Sequence, residues 1–84
     1  MVTVIYFAHL REVLGKSSEQ LVLPADVRDL DGLRRLLTSR GGAWSAELAP
    51  EKPVRAAVNQ DMAQGDTRVH DGDEIAFFPP VTGG

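Results

Sequence analysis

Apolar and polar positions change period several times along the chain, and each change marks an element. Val2 to Phe7 is an almost unbroken apolar run with β-branched and aromatic residues, which predicts a central strand covered on both faces. Its two faces are Val2/Val4/Tyr6 and Thr3/Ile5/Phe7. From about Ala8 to Leu14 the period lengthens. Leu10, Val13 and Leu14 recur at helical spacing, and Gly15 stops the short helix they imply. Glu19 to Leu23 predicts a second strand closed by Pro24. The longest helix follows, with Asp29 as its N-cap, an apolar stripe of Leu30, Leu33, Leu36 and Leu37, and Gly41-Gly42 as its stop. Gly32 inside it costs about 1 kcal/mol against alanine, so packing rather than propensity must hold this helix.

Ala43 to Leu48 predicts a further short turn with Trp44 and Leu48 on one side. Pro50 and Pro53 then break the chain before a strand at Val54 to Asn59. Residues 60 to 68 are turn-rich, with a brief strand around Met62. Val69 leads to a tight turn at Asp71-Gly72, a hairpin dipeptide, and Asp73 to Phe78 is the final strand. Strand, short helix, strand, long helix and several strands in that order predict an α+β fold. A helix crossing a mixed sheet, with helices packed on one face, suggests the β-grasp, ubiquitin-like architecture. The domain is expected over residues 1–78, with residues 79–84 as an extended tail.

Eighty-four residues leave room for one small domain, which buries only roughly 60–65% of the surface its unfolded chain exposes. Hydrophobic residues at 43% and charged residues at 25% are ordinary globular composition. Nine basic against twelve acidic residues give a formal charge of −3, which argues against nucleic acid or an anionic membrane as the partner. The longest apolar stretch, Val4 to Ala8, is too short for a membrane span or a signal-peptide core, and a cytoplasmic setting is expected. The complete lack of cysteine removes disulfides, thiolate metal sites and any thiol nucleophile.

The chemistry concentrates in Pro79-Pro80-Val81-Thr82-Gly83-Gly84. Two prolines lack the N–H groups a central strand needs and favour a stiff polyproline II exit. Six extended residues reach roughly 20 Å beyond the sheet. Glycines without Cβ pass through a channel too narrow for any other residue. Such an arm suits delivery of its own carboxylate, on Gly84, into another protein's active site. Adenylation of that carboxylate by ATP would make it an electrophile, and a sulfur or amine nucleophile could then displace AMP. A terminal Gly-Gly by itself is better read as a frayed end; Phe77-Phe78-Pro79-Pro80 directly after a strand shifts the balance.

Ala56-Ala57-Val58-Asn59-Gln60, together with Asp71-Gly72-Asp73-Glu74-Ile75-Ala76-Phe77-Phe78-Pro79-Pro80-Val81-Thr82-Gly83-Gly84, resembles the small, sulfur-carrier subunits of molybdopterin synthase. The opening Val4-Ile5-Tyr6-Phe7-Ala8, with Arg11-Glu12 and Gly15, is similar to that family too. The resemblance implies a β-grasp fold and a cycle. An E1-like enzyme adenylates Gly84 with ATP, a sulfur donor protein converts it to a thiocarboxylate, and the carrier docks on the large synthase subunit in a two-plus-two heterotetramer. There it gives sulfur to a cyclic pterin precursor in molybdenum cofactor biosynthesis. No bound cofactor, metal or catalytic site of its own is implied; the chain is the sulfur-donating co-substrate.

Strand alternation places Ile75 and Phe77 beneath the long helix and Phe78 on the opposite face, as it places Phe7 opposite Val4 and Tyr6. Parallel pairing of the first and last strands would bring Phe7 and Phe78 together on an uncovered apolar face, the usual mark of an interface. The resemblance implies docking through Phe7, Met62 and Phe78, with Pro79, Pro80, Val81 and Thr82 leading Gly83 and Gly84 into the partner. His9 and His70 lack metal-ligand spacing, Asp71, Asp73 and Glu74 read as an acidic turn, and Arg34, Arg35 and Arg40 read as the solvent side of the helix. The rival functions are a sulfur carrier for thiazole (thiamine) or tRNA thiolation, a ubiquitin-like protein modifier, and a plain interaction module.

Overall fold

The structure is a computed structural model and describes residues 1–80. Five strands form one mixed sheet in the order β2-β1-β5-β3-β4. They are β1 (Val2–Tyr6), β2 (Ser18–Leu21), β3 (Arg55–Val58), β4 (Asp61–Ala63) and β5 (Glu74–Phe78). The helices are α1 (Ala8–Leu14), α2 (Leu30–Thr38) and α3 (Gly42–Leu48). β1 and β5 run parallel at the centre, and every other pairing is antiparallel. This is the α+β arrangement expected from the sequence, with the helices on one face.

That face holds the core. Val2, Val4 and Tyr6 of β1, Ile75 and Phe77 of β5, and Ala56 and Val58 of β3 pack against Leu30, Leu33 and Leu37 of α2, Leu10 of α1 and Leu48 of α3. Full burial of each such leucine is worth roughly 1.5–3 kcal/mol against exposure. Trp44 lies over the edge of this core, its ring centroid 5.4 Å from that of Tyr6 in an edge-on arrangement. Asp29 caps α2 as expected, its Oδ1 accepting the Gly32 N–H at 2.8 Å. The same contact explains the glycine. A Cβ at position 32 would stand 3.1 Å from that oxygen and 3.5 Å from Val27 Cγ1.

Several expectations change in the structure. β1 is covered by helices on one side only, and Thr3 and Ile5 are half-buried on the other. Its apolar run therefore reflects an open sheet face that is itself apolar. Val13 is exposed, since α1 is short and only Leu10 is buried. β2 begins and ends earlier than expected, leaving Val22 exposed. α2 closes at Thr38, before the two glycines, and Gly42 already belongs to α3. Asp71-Gly72 makes a turn (Gly72 φ +91°), but only an isolated bridge at Arg68 precedes it, so it joins no hairpin. The two-residue hairpin is Asn59-Gln60 instead, both with positive φ, between β3 and β4.

Arg34 departs furthest from its expected solvent side. Its Nε donates to the Leu48 carbonyl at 2.7 Å, and its Nη2 donates to the carbonyls of Ala49 and Lys52, each at 2.7 Å. The guanidinium thus adds a second donor to carbonyls that already accept from Thr38 Oγ1, the Lys52 N–H and the Val54 N–H, and it ties the end of α3 to the segment leading into β3.

Arg40 grips the opposite edge. Its guanidinium donates two hydrogen bonds to Glu19, at 2.8 and 2.9 Å, and lies 4.4 Å from the Trp44 ring centroid. Tyr6 Oη donates to the same carboxylate at 2.7 Å. The Arg40 hydrogen bond holds the Glu19 carboxyl below its usual 4.5, and burial pushes the Tyr6 hydroxyl well above its ordinary value. A carboxyl depressed in the folded state stabilises fully above its unfolded pKa and loses that contribution as the pH falls through the folded one. Glu19→Gln is expected to cost about 1–2 kcal/mol at neutral pH. The gap to the parent should narrow steadily below pH 4.5. Urea melts at neutral pH and near pH 3 check this, and an equal gap at both would contradict it.

Candidate functional site

The open face of the sheet is built by cross-strand register. Ile5 pairs with Ala76, Ala76 with Ala57, and Ala57 with Met62, so one apolar row crosses four strands. Ser18 extends it on β2. The neighbouring row lies towards the end of β5. Tyr6 pairs with Phe77, so the next step along both strands sets Phe7 beside Phe78, and the Phe7 N–H donates to the Phe77 carbonyl at 3.1 Å. Phe7 keeps an extended backbone (φ −111°, ψ 154°) and is 46% exposed, while Met62 is 63% exposed. Phe78 is half-buried. The three side chains expected to meet a partner thus share one face, and among the described residues no helix covers it.

Ala8 turns the chain away immediately after Phe7, with a φ of +53° that non-glycine residues rarely adopt. This left-handed step lets α1 fold back over the core while Phe7 stays on the open side. At the far end, Asn59 fixes the β3–β4 turn against β5. Its Nδ2 donates to Asp73 at 3.0 Å and its Oδ1 accepts the Glu74 N–H at 3.0 Å. The Asn59 hydrogen bond holds the Asp73 carboxyl below its ordinary value. These contacts set where β5 begins and hence which of its residues face outward.

β5 leads directly into Pro79 and Pro80, which are half-buried and line a shallow groove with His9, Glu47, Lys52 and Pro53. His9 Nε2 lies 3.1 Å from the Glu47 carboxylate in that groove wall. The expected roles of Val81, Thr82, Gly83 and Gly84 lie outside the described residues. Among the described residues, no group of three histidine, aspartate or glutamate side chains is placed to hold a metal ion. No helix among the described residues is long and apolar enough to cross a membrane.

Ala57 and Arg55 join this face without having been singled out by sequence, beside Ile5 and Ala76, which strand alternation sets with Phe7 and Phe78. The signal was present in the period of two, since Ala56 and Val58 are buried and their neighbours must point the other way. What was missing was the register that aligns those neighbours with Phe78 and Met62.

An open apolar sheet face beside an outgoing strand, with all helices behind it, defines a β-grasp domain organised for docking. The chain belongs to the ThiS family, whose profile matches residues 4–84. It is 39% identical over 84 residues to the molybdopterin synthase sulfur carrier subunit of Escherichia coli, covering 100% of both chains. Its fold matches a putative molybdopterin converting factor, subunit 1, from Pyrococcus furiosus with a TM-score of 0.78 and 30% identity, over 95% of this chain and 97% of that one. It also matches a chain in the complex of subunits 1 and 2 of the molybdopterin-converting factor from Helicobacter pylori. That TM-score is 0.68 at 25% identity, over 99% and 97% of the two chains.

Proposed function

We propose that this chain is the sulfur-carrier subunit of a molybdopterin synthase, and that Gly84 carries the sulfur. The observation that supports this most is the full-length similarity to sulfur carrier subunits of that enzyme, joined to an open face whose apolar residues surround the root of the tail. The Gly84 carboxylate attacks the α-phosphate of ATP on an E1-like enzyme, releasing pyrophosphate and forming an acyl-adenylate. Sulfide-level sulfur supplied by a sulfur donor protein attacks the acyl carbon, AMP leaves with the C–O bond electrons, and the terminus becomes a thiocarboxylate. The chain then docks on the large subunit in a two-plus-two heterotetramer, as subunits 1 and 2 of the Helicobacter pylori factor form a complex. The tail enters the large subunit and gives its sulfur to a cyclic pterin precursor.

Each requirement on this chain is mechanical rather than catalytic. The domain presents the face, the strand aims the tail, and the terminal glycines leave the carboxylate unhindered. The test is the intact mass of the protein after incubation with ATP, the E1-like enzyme and a sulfur donor. The expected result is the gain from exchanging one oxygen for sulfur, located in the peptide ending at Gly84. Adding the large subunit and the pterin precursor should reverse that gain. A stable thiocarboxylate that the large subunit cannot discharge would point instead to thiazole or tRNA thiolation. No gain, with the E1-like enzyme active on a control carrier, would remove the mechanism.

A further inference from the structure

The open face has an electrical direction. Of the strand residues that register and alternation place on it, only Arg55 and Glu74 are charged. Arg55 stands opposite Phe78, beside the point where the chain leaves the sheet, and Glu74 stands opposite Thr3 at the other end of β5. Four residues along a strand separate the two ends by roughly 13 Å. Between them lies the apolar row of Ile5, Ala76, Ala57 and Met62. Arg55 is exposed and, among the described residues, makes no ion pair and no side-chain hydrogen bond. Arg34 and Arg40, by contrast, are tied down within the domain.

We propose that Arg55 orients the carrier on its partner, and that the large synthase subunit presents an acidic side chain opposite it, at the mouth that receives the tail. This rests on the function proposed above. A cation beside Phe78 loses water when the apolar face is covered, and an unmatched buried charge weakens a complex severely. A carboxylate opposite it removes that cost, and the planar guanidinium donates to it in a two-pronged geometry that a lysine cannot reproduce. Glu74 completes the code. A partner docked end-for-end would bring its own acidic group against Glu74, and like charges reject that orientation. The apolar row supplies attraction without direction; the two charges supply the direction that puts the tail at the channel and not away from it.

The test uses the full chain and the large subunit from the same organism, with association followed at about 50 mM and about 500 mM salt. Arg55→Glu is expected to slow association roughly tenfold or more at low salt, with Arg55→Gln between it and the parent. At high salt the three should converge to within about twofold, because screening removes steering between exposed charges. Arg55→Glu associating at the parent rate in low salt would overturn the inference. So would a loss equal at both salt concentrations, which marks packing and not charge. Arg55→Gln carries the same test should the glutamate variant fail to fold. If Phe78→Ala weakens binding while the Arg55 variants do not, the inference fails alone. If the parent chain does not bind the large subunit, the proposed function fails and the inference with it.

Discussion

Removing Gly83 and Gly84 is expected to leave a domain that folds as before and accepts no sulfur. Among the described residues, the buried core cluster runs from Val2 to Phe77. The truncated chain should therefore melt within about 0.5 kcal/mol of the parent, as surface changes away from packed features do. Its new terminus would carry Thr82, a β-branched residue whose carboxylate is both set back and crowded by its own side chain. Adenylation then requires a longer reach and a wider channel, so thiocarboxylate should fall to background. Intact mass after the ATP and sulfur-donor reaction, with circular dichroism on the same sample, measures both halves. Sulfur retained on the shortened chain would place the acceptor elsewhere. Undiminished molybdoenzyme activity in a complemented strain would favour a plain interaction module.

The second large effect is expected at the face. Phe78→Ala and Phe7→Ala should each weaken binding to the large subunit by about 1–3 kcal/mol, or roughly fivefold to 150-fold in Kd. Aromatic side chains at the centre of an interface carry such values because they fill pockets from which water is excluded. The two residues are neighbours across β1 and β5, so the double variant should lose a different amount from the sum of the singles. Titration calorimetry gives the affinities, and thermal melts show whether the fold is intact. Phe7 caps α1 through its backbone and not its side chain, so its truncation leaves that helix its start. Phe78→Ala unfolding the free chain would instead make Phe78 part of the core.

Most of the architecture was legible because local patterns and tertiary packing agree. The Asp29 cap, the leucine stripe of α2 and the alternation of β5 each need only a few adjacent residues to be read, and each stands as expected. The pairing of Phe7 with Phe78 was legible for the same reason, since a period of two and one parallel register suffice. Arg34 was not legible. Its partners are carbonyls of residues 48 to 52, whose availability depends on where α3 ends and the prolines break the chain. The extent of β2 was equally hidden, because an edge strand is delimited by its neighbour β1 more than by its own residues. Arg55 gained significance only from its register with Phe78. The period of two sets Arg55 apart from Ala56 and Val58, but it does not say which residue of a neighbouring strand Arg55 will stand beside.

The position of β5 has a mechanical consequence. It is the middle strand, hydrogen-bonded to β1 on one side and to β3 on the other. A pull on the chain beyond Pro80, directed along the strand, loads both ladders in shear, so their bonds bear the force together. An edge strand pulled sideways would open one bond at a time. The tail is thus anchored where the sheet resists tension best. An enzyme that draws it into a tight passage, or a partner that must be released from it, can tug on this cord without unravelling the domain from which it hangs.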